Sequence, residues 1–324
     1  MFNINHILRN LPVIRWVIAK SKKIVLPGFE GLPLYDVAIF FMKQVKKVGL
    51  NDRAAAISFN LLMAIPAATI FLCTLLPYMP FSRQITTQLL LVTRDVTPNL
   101  NTFLLVKDFL EDFLETPRSG LLSIGFLLAA FYASNAVLGI MRTFNKSLMY
   151  TRDRNFLLER WVAIRITTIL ILLFIISMGL ILAQGTILNW ALTKMEINTP
   201  LVRWLVKNLR WVFILALVYY CIAVIYKYAP AIHERWQLSS PGTTLATLLV
   251  VLTAGGFSLW LQWFDNFNKV YGSIGTILIL MLLIYFSSLV LLIGYELNVS
   301  IHSLKMMAAE RARKEASQSA DYNK

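Results

Sequence analysis

Glu296 is a carboxylate set at the end of an apolar run: from Val270 to Tyr295 no side chain is charged, and the acid follows at once. An ionisable group so placed is costly near lipid and normally faces a counter-charge or a polar cavity. Two arginines stand where a bundle of helices would bring them to the same end. Arg53 immediately precedes the charge-free run Ala54–Ser82, and Arg142 immediately follows the run Ser119–Met141. Amides accompany them. Asn298 lies just beyond Glu296, Asn145 follows Arg142 within one turn, and Asn60 sits about 10 Å along the helix from Arg53. These six residues form a candidate polar cluster with two uses. In one, Glu296 and an arginine make an ion pair that locks helices together, while Asn60 bonds across helices, typically worth ~0.6 kcal/mol and rarely above ~1.7. In the other, the same groups line a vestibule that receives a headgroup or an ion.

A second constellation lies at the other end of the same run. Tyr271, Gly272 and Gly275 follow the polar stretch Asp265–Lys269, and glycines there permit a tight turn and close helix approach, or a re-entrant gate. Gly255-Gly256, and Gly125, Ala129 and Ala133 at four-residue spacing, are expected to be helix-packing contacts. Pro66 should disturb the helix that holds it, freeing a carbonyl that Ser58, Asn60 or a neighbour would satisfy.

Catalytic sets are not evident. The three histidines, His6, His233 and His302, are far apart, and none begins a metal-ligand spacing. Cys73 and Cys221 fall inside apolar blocks and are expected to be small buried hydrophobes. There is no P-loop, nucleophile elbow or dinucleotide fingerprint. The expectation is a protein that is not an enzyme and uses no metal or cofactor.

The elements that must position these residues are membrane spans. Apolar residues make up 57% of the 324-residue chain and charged ones only 15%, against about a quarter in soluble domains. Charge-free runs occur at Ala54–Ser82, Ser119–Met141, Ile166–Thr193, Trp211–Tyr226, Gln237–Phe264 and Val270–Tyr295. Most exceed the length of about 20 residues that crosses a ~30 Å hydrocarbon core. Leu205, Val206 and Leu209 lengthen the fourth. Alternation of period two is absent, so the fold class is all-α: a polytopic membrane protein of six transmembrane helices. Of the 31 Lys and Arg, 22 fall before the first span, in the second and fourth connections, or after the sixth. That bias predicts both termini on the cytoplasmic side. The formal charge of +14 is then explained by anionic headgroups, with no nucleic acid expected.

The organisation follows. Residues 1–53 form a cytoplasmic N-terminal segment in which 34–49 have the apolar spacing of an interfacial helix, and no removable signal peptide is discernible. Residues 54–301 form the transmembrane domain, whose outer loop 83–118 carries helical spacing in Phe103, Val106, Leu110 and Phe113. Residues 302–324 are Ala-, Ser- and charge-rich and are expected to fray.

Four segments, in order, resemble the YihY/BrkB family of bacterial inner-membrane proteins. They are RAAAISFNLLMAIPA (Arg53–Ala67), SNAVLGIMRTFNKSL (Ser134–Leu148), YKYAPAIHERWQLSSPGTTLATLL (Tyr226–Leu249) and YGSIGTILILMLLIYFSSLVLLIGYELN (Tyr271–Asn298). The resemblance covers roughly 43–301, and Asn60 stands where that family more often has an aromatic residue. It implies a multi-pass protein of the bacterial inner membrane, with membrane lipids as partners and a homo-oligomer or another membrane protein as a further partner. It implies no settled activity: members have carried the label ribonuclease BN, and one group is named for serum resistance. The residues themselves favour transport or accommodation of an envelope lipid, with a scaffold role as the alternative and transfer-RNA processing as a weaker one.

Overall fold

The computed structural model describes residues 19–25, 27–78, 119–148, 154–194, 200–232, 236–263 and 267–322, with isolated positions between 87 and 108; side chains at 76, 178–210, 261–276, 316 and 318–322 are outside that description. The regular structure of the described residues is helical, with no strand among them. A short helix α1 (Leu34–Lys47) precedes α2 (Leu50–Leu75), α3 (Ser119–Asn145), α4 (Phe156–Lys194), α5 (Pro200–Tyr228), α6 (Pro241–Trp263) and α7 (Phe267–Tyr322). Helices α2 to α7 each contain a stretch long and apolar enough to cross a membrane, six in all.

Local chemistry explains the boundaries near the polar cluster. Pro33, in an extended conformation, opens α1, with Asp36 in its first turn and Lys46 and Lys47 in its last, all complementing the helix dipole. Gly49 then adopts φ +64°, the left-handed geometry that ends a helix and that other residues resist. This elbow sets α1 across the start of α2. Ser240 caps α6, its Oγ accepting from Thr243 N–H at 3.3 Å, and Pro241 follows at the first helical position.

Neighbours in sequence are neighbours in space. Each span from α2 to α6 packs on the next, and α7 packs on both α6 and α2, which closes the six into a ring. Helix α1 lies against α7, where Phe29 and Val37 meet Ile301. The main core sits at the end of the ring where most Lys and Arg are found, hereafter the basic end. It joins Ala54 and Ile57 of α2, Met141 and Phe144 of α3, Ile166 of α4, Tyr226 of α5, Ala246 of α6 and Leu292 and Tyr295 of α7.

Three expectations need correction. Helix α7 continues to Tyr322 through the segment expected to fray. Its last turns are rich in Ala, Glu, Arg and Lys, all good helix formers, and Glu310 pairs with Lys314 one turn on at 3.0 Å. Among the described residues Gly255 and Gly256 pack against nothing, since a methyl group at either would meet none of their atoms within 4 Å. Pro66 lies within α2, but Ser58 bonds to Ala54 O and Asn60 to Ala56 O, each in its own preceding turn. The expected helices of loop 83–118 lie outside the described residues, apart from isolated positions.

Candidate polar site at the basic end

Arg53, in the first turn of α2, reaches across the ring seam to Glu296 in α7, with Nη1 donating to Oε1 at 2.9 Å. The side chains are 8% and 0% exposed, so the pair is enclosed in protein. Two further groups join it. Arg53 Nη2 donates to the Thr143 carbonyl near the end of α3, and Ser147, in the turn that follows, donates its hydroxyl to Glu296 Oε1. One carboxylate oxygen thus ties α7 to α2 and to the end of α3. Arg53 Nε and Glu296 Oε2 have no partner among the described residues. The guanidinium therefore engages the acid through one oxygen rather than as a bidentate fork, the stronger arrangement.

An aromatic cluster packs beside the pair. Phe144 and Tyr295 stack with centroids 3.7 Å apart and planes 9° from parallel, and Tyr226 and Trp236 flank Tyr295 at 6.0 and 5.4 Å. The phenols are satisfied by backbone on neighbouring helices: Tyr295 donates to Phe144 O at 3.1 Å, and Tyr226 to Leu291 O at 2.5 Å. Beyond them, Asn298 accepts from Gly242 N–H and donates to Ser240 Oγ, both at 2.8 Å, which fastens α7 to the N-terminus of α6. These helices approach so closely that a methyl group on Gly294 would stand 2.6 Å from the Gly242 carbonyl oxygen and 2.7 Å from the Tyr226 hydroxyl.

The six residues singled out in sequence therefore divide. Arg53 and Glu296 meet. Arg142 does not join them: its side chain is 54% exposed, and its Nε lies 3.7 Å from Glu159 of α4. Met141, Thr143 and Phe144 face the core, so the residue between them is turned outward by the helical pitch. Asn145 accepts from Ala231 N–H at 3.0 Å and so secures the chain after α5, a task shared by Arg154, which donates to Ala229 O and Pro230 O. Asn298 serves α6. Asn60 bonds within its own helix and lies against Gly139, where a methyl group would stand 2.6 Å from Nδ2. At the other constellation the backbone is helical from Phe267, so Tyr271, Gly272 and Gly275 make no turn there; their side chains lie outside the described residues.

Sequence reasoning missed Ser147, the aromatic cluster, the Gly242–Gly294 approach and a cleft above the ion pair. This cleft, about 740 Å³, opens between α1 and the ends of α2, α3 and α7. Arg53 and Ser147 lie on its floor, Lys43, Gln44, Lys47, Asp52 and Lys146 are its polar walls, and Phe40, Val48, Leu148 and Met307 are apolar. The missed signal was charge: Lys43 and Lys47 share one face of α1 at four-residue spacing. Among the described residues no group of three or more His, Cys, Asp or Glu converges to hold a metal.

Comparison with known proteins locates this site within a family. The chain is 25% identical over 260 residues to YfkH of Bacillus subtilis, named as ribonuclease-like, covering 80% of this chain and 93% of that protein. It is 32% identical over 136 residues to a UPF0761 membrane protein of Tolumonas auensis, covering 42% of this chain and 44% of the relative. A UPF0761 membrane protein of Xanthomonas oryzae matches at 29% over 157 residues, 47% of this chain and 35% of that one. The chain thus spans nearly all of YfkH but less than half of these UPF0761 relatives. No solved structure matches. The family model described as virulence factor BrkB matches residues 41–320, a range holding the ion pair and all of the cleft's lining but Phe40, and the chain belongs to the BrkB family of membrane proteins.

Proposed function

We propose that this protein is a multi-pass, non-enzymatic component of the bacterial inner membrane, with both termini cytoplasmic, that accommodates or moves an envelope lipid or another amphipathic molecule. The cleft carries the reading. It lies between the interfacial helix and three spans, has charged and apolar walls together, and stands above a buried charge pair that links α2 to α7. Such a site suits a molecule with a polar head and an apolar body. The bias of 22 of the 31 Lys and Arg to the segments before the first span, in the second and fourth connections and after the sixth supports its cytoplasmic orientation. Purified protein reconstituted in liposomes should accelerate transbilayer movement of a labelled lipid, and Glu296→Gln should slow it; movement unchanged from empty liposomes counts against the reading. Cysteines placed near residues 20 and 315 should be labelled from the same face.

A scaffold is the second reading, favoured by the complete burial of Glu296 in a well-packed core. On that reading Glu296→Gln changes stability or assembly and leaves lipid movement untouched. The ribonuclease-like name of YfkH motivates a third test, cleavage of transfer-RNA precursors by the purified protein in the presence of magnesium or manganese. Absence of cleavage is the outcome the non-enzymatic reading requires.

A further inference from the structure

The cleft has an excess of positive charge with no internal use. Lys43 and Lys47 project from α1, Lys146 follows the end of α3, and Arg53 stands at the floor. None of the three lysines enters an ion pair among the described residues. Against these four cations stand Asp52 on the wall and Glu296 behind Arg53, which among the described residues leaves two positive charges uncompensated. Lys146 offsets the negative C-terminal end of α3, and the first turn of α2 presents its positive end to the same space.

We infer that this cleft binds a dianionic phosphate group, as in a phosphomonoester or diphosphate headgroup, in preference to a singly charged phosphodiester. The inference rests on the lipid reading above and names the chemistry of its ligand. Lysine ammonium groups are compact point charges that surround a phosphate from several directions, whereas a single diester charge would leave the walls repelling one another. The position favours a lipid source. On the other flank of α1, Ala38 and Met42 are exposed beside the half-buried Ile39, an apolar surface that suits a helix seated at the bilayer surface with the lysines at headgroup level.

The test uses the full chain in detergent micelles, titrated with phosphatidic acid, phosphatidylglycerol or a zwitterionic phospholipid and read by native mass spectrometry. Phosphatidic acid should bind at least tenfold more tightly than phosphatidylglycerol. Replacing Lys43, Lys47 and Lys146 together by Gln should abolish that preference, and Lys146→Gln alone should weaken it several-fold. Lys46→Gln removes the same charge from the same helix but lines only the apolar flank, so it should change binding less than twofold. Asp52→Asn should tighten phosphatidic acid binding a few-fold, which a misfolded variant would not do. Competition by millimolar inorganic phosphate supports the phosphate site with a free-phosphate source; no competition supports it with a lipid source. Equal binding of the two anionic lipids, or an equal loss in Lys46→Gln, overturns the inference. Lipid movement measured in parallel separates the two claims. Movement without headgroup preference overturns this inference and leaves the broader function standing, and preference without movement does the reverse.

Discussion

The two ends of the helical ring are built differently. At the basic end, side chains tie every span to another: Arg53 to Glu296, Ser147 to Glu296, Tyr226 to Leu291, Asn298 to Gly242, Arg160 to Asn135. Toward the other end, no described residue is buried between Val251 and Trp260 of α6 or between Ile277 and Ser287 of α7, and Phe126, Leu127 and Phe131 of α3 are exposed. Lipid tails are as apolar as leucine, so apolar faces gain little by meeting each other in a bilayer. Polar groups have no such substitute and must find partners within the protein. The difference teaches that hydrogen bonds, a buried ion pair, a more exposed one and close glycine contacts decide where these helices stay together.

Substitutions at the two ends can break or sharpen that contrast, each read as a shift in unfolding midpoint on titrating mixed micelles with a denaturing detergent. The largest effect belongs to the pair itself. Glu296→Ala leaves Arg53 buried without a counter-charge and should cost about 3–5 kcal/mol. A loss below ~1 kcal/mol would show that the pair does not hold the seam. Gly294→Val, pressing on Gly242 and Tyr226, should cost about 1–3 kcal/mol. Gly256→Ala, in open space, should instead cost nothing or gain up to ~1 kcal/mol. Equal responses from these two glycines would erase the contrast. Ser147→Ala removes one hydrogen bond to the acid and should cost about 1 kcal/mol. The smallest change is Tyr295→Phe, about 0.6 kcal/mol, because stacking on Phe144 survives the loss of the hydroxyl.

Much of this architecture was legible in residue order, for a physical reason. A bilayer requires long apolar segments, so the six spans announce themselves, and a carboxylate at the edge of one demands a partner. Which arginine answers was less visible. Arg53 and Arg142 are equivalent by position, and only the core-facing pattern of Val137, Ile140, Met141 and Phe144 reveals that Arg142 is rotated away. Ser147 carries no such sign, because it lies in a turn beyond the helix, where periodicity ends. Gly242 and Gly294 looked no different from Gly255 and Gly256; close approach depends on which faces meet, and that is a property of the assembled ring. The helical tail was misjudged because charge density was weighed above the helix-forming tendency of Ala, Glu, Lys and Arg.

The seam between the first and last spans joins residues 243 positions apart. During synthesis Arg53 enters the membrane long before its acid leaves the ribosome, and the intervening spans arrive in the order in which they pack. Ring closure therefore waits for α7. A nascent chain interrupted anywhere before α7 leaves Arg53 without its carboxylate, a mark by which incomplete copies differ from finished ones.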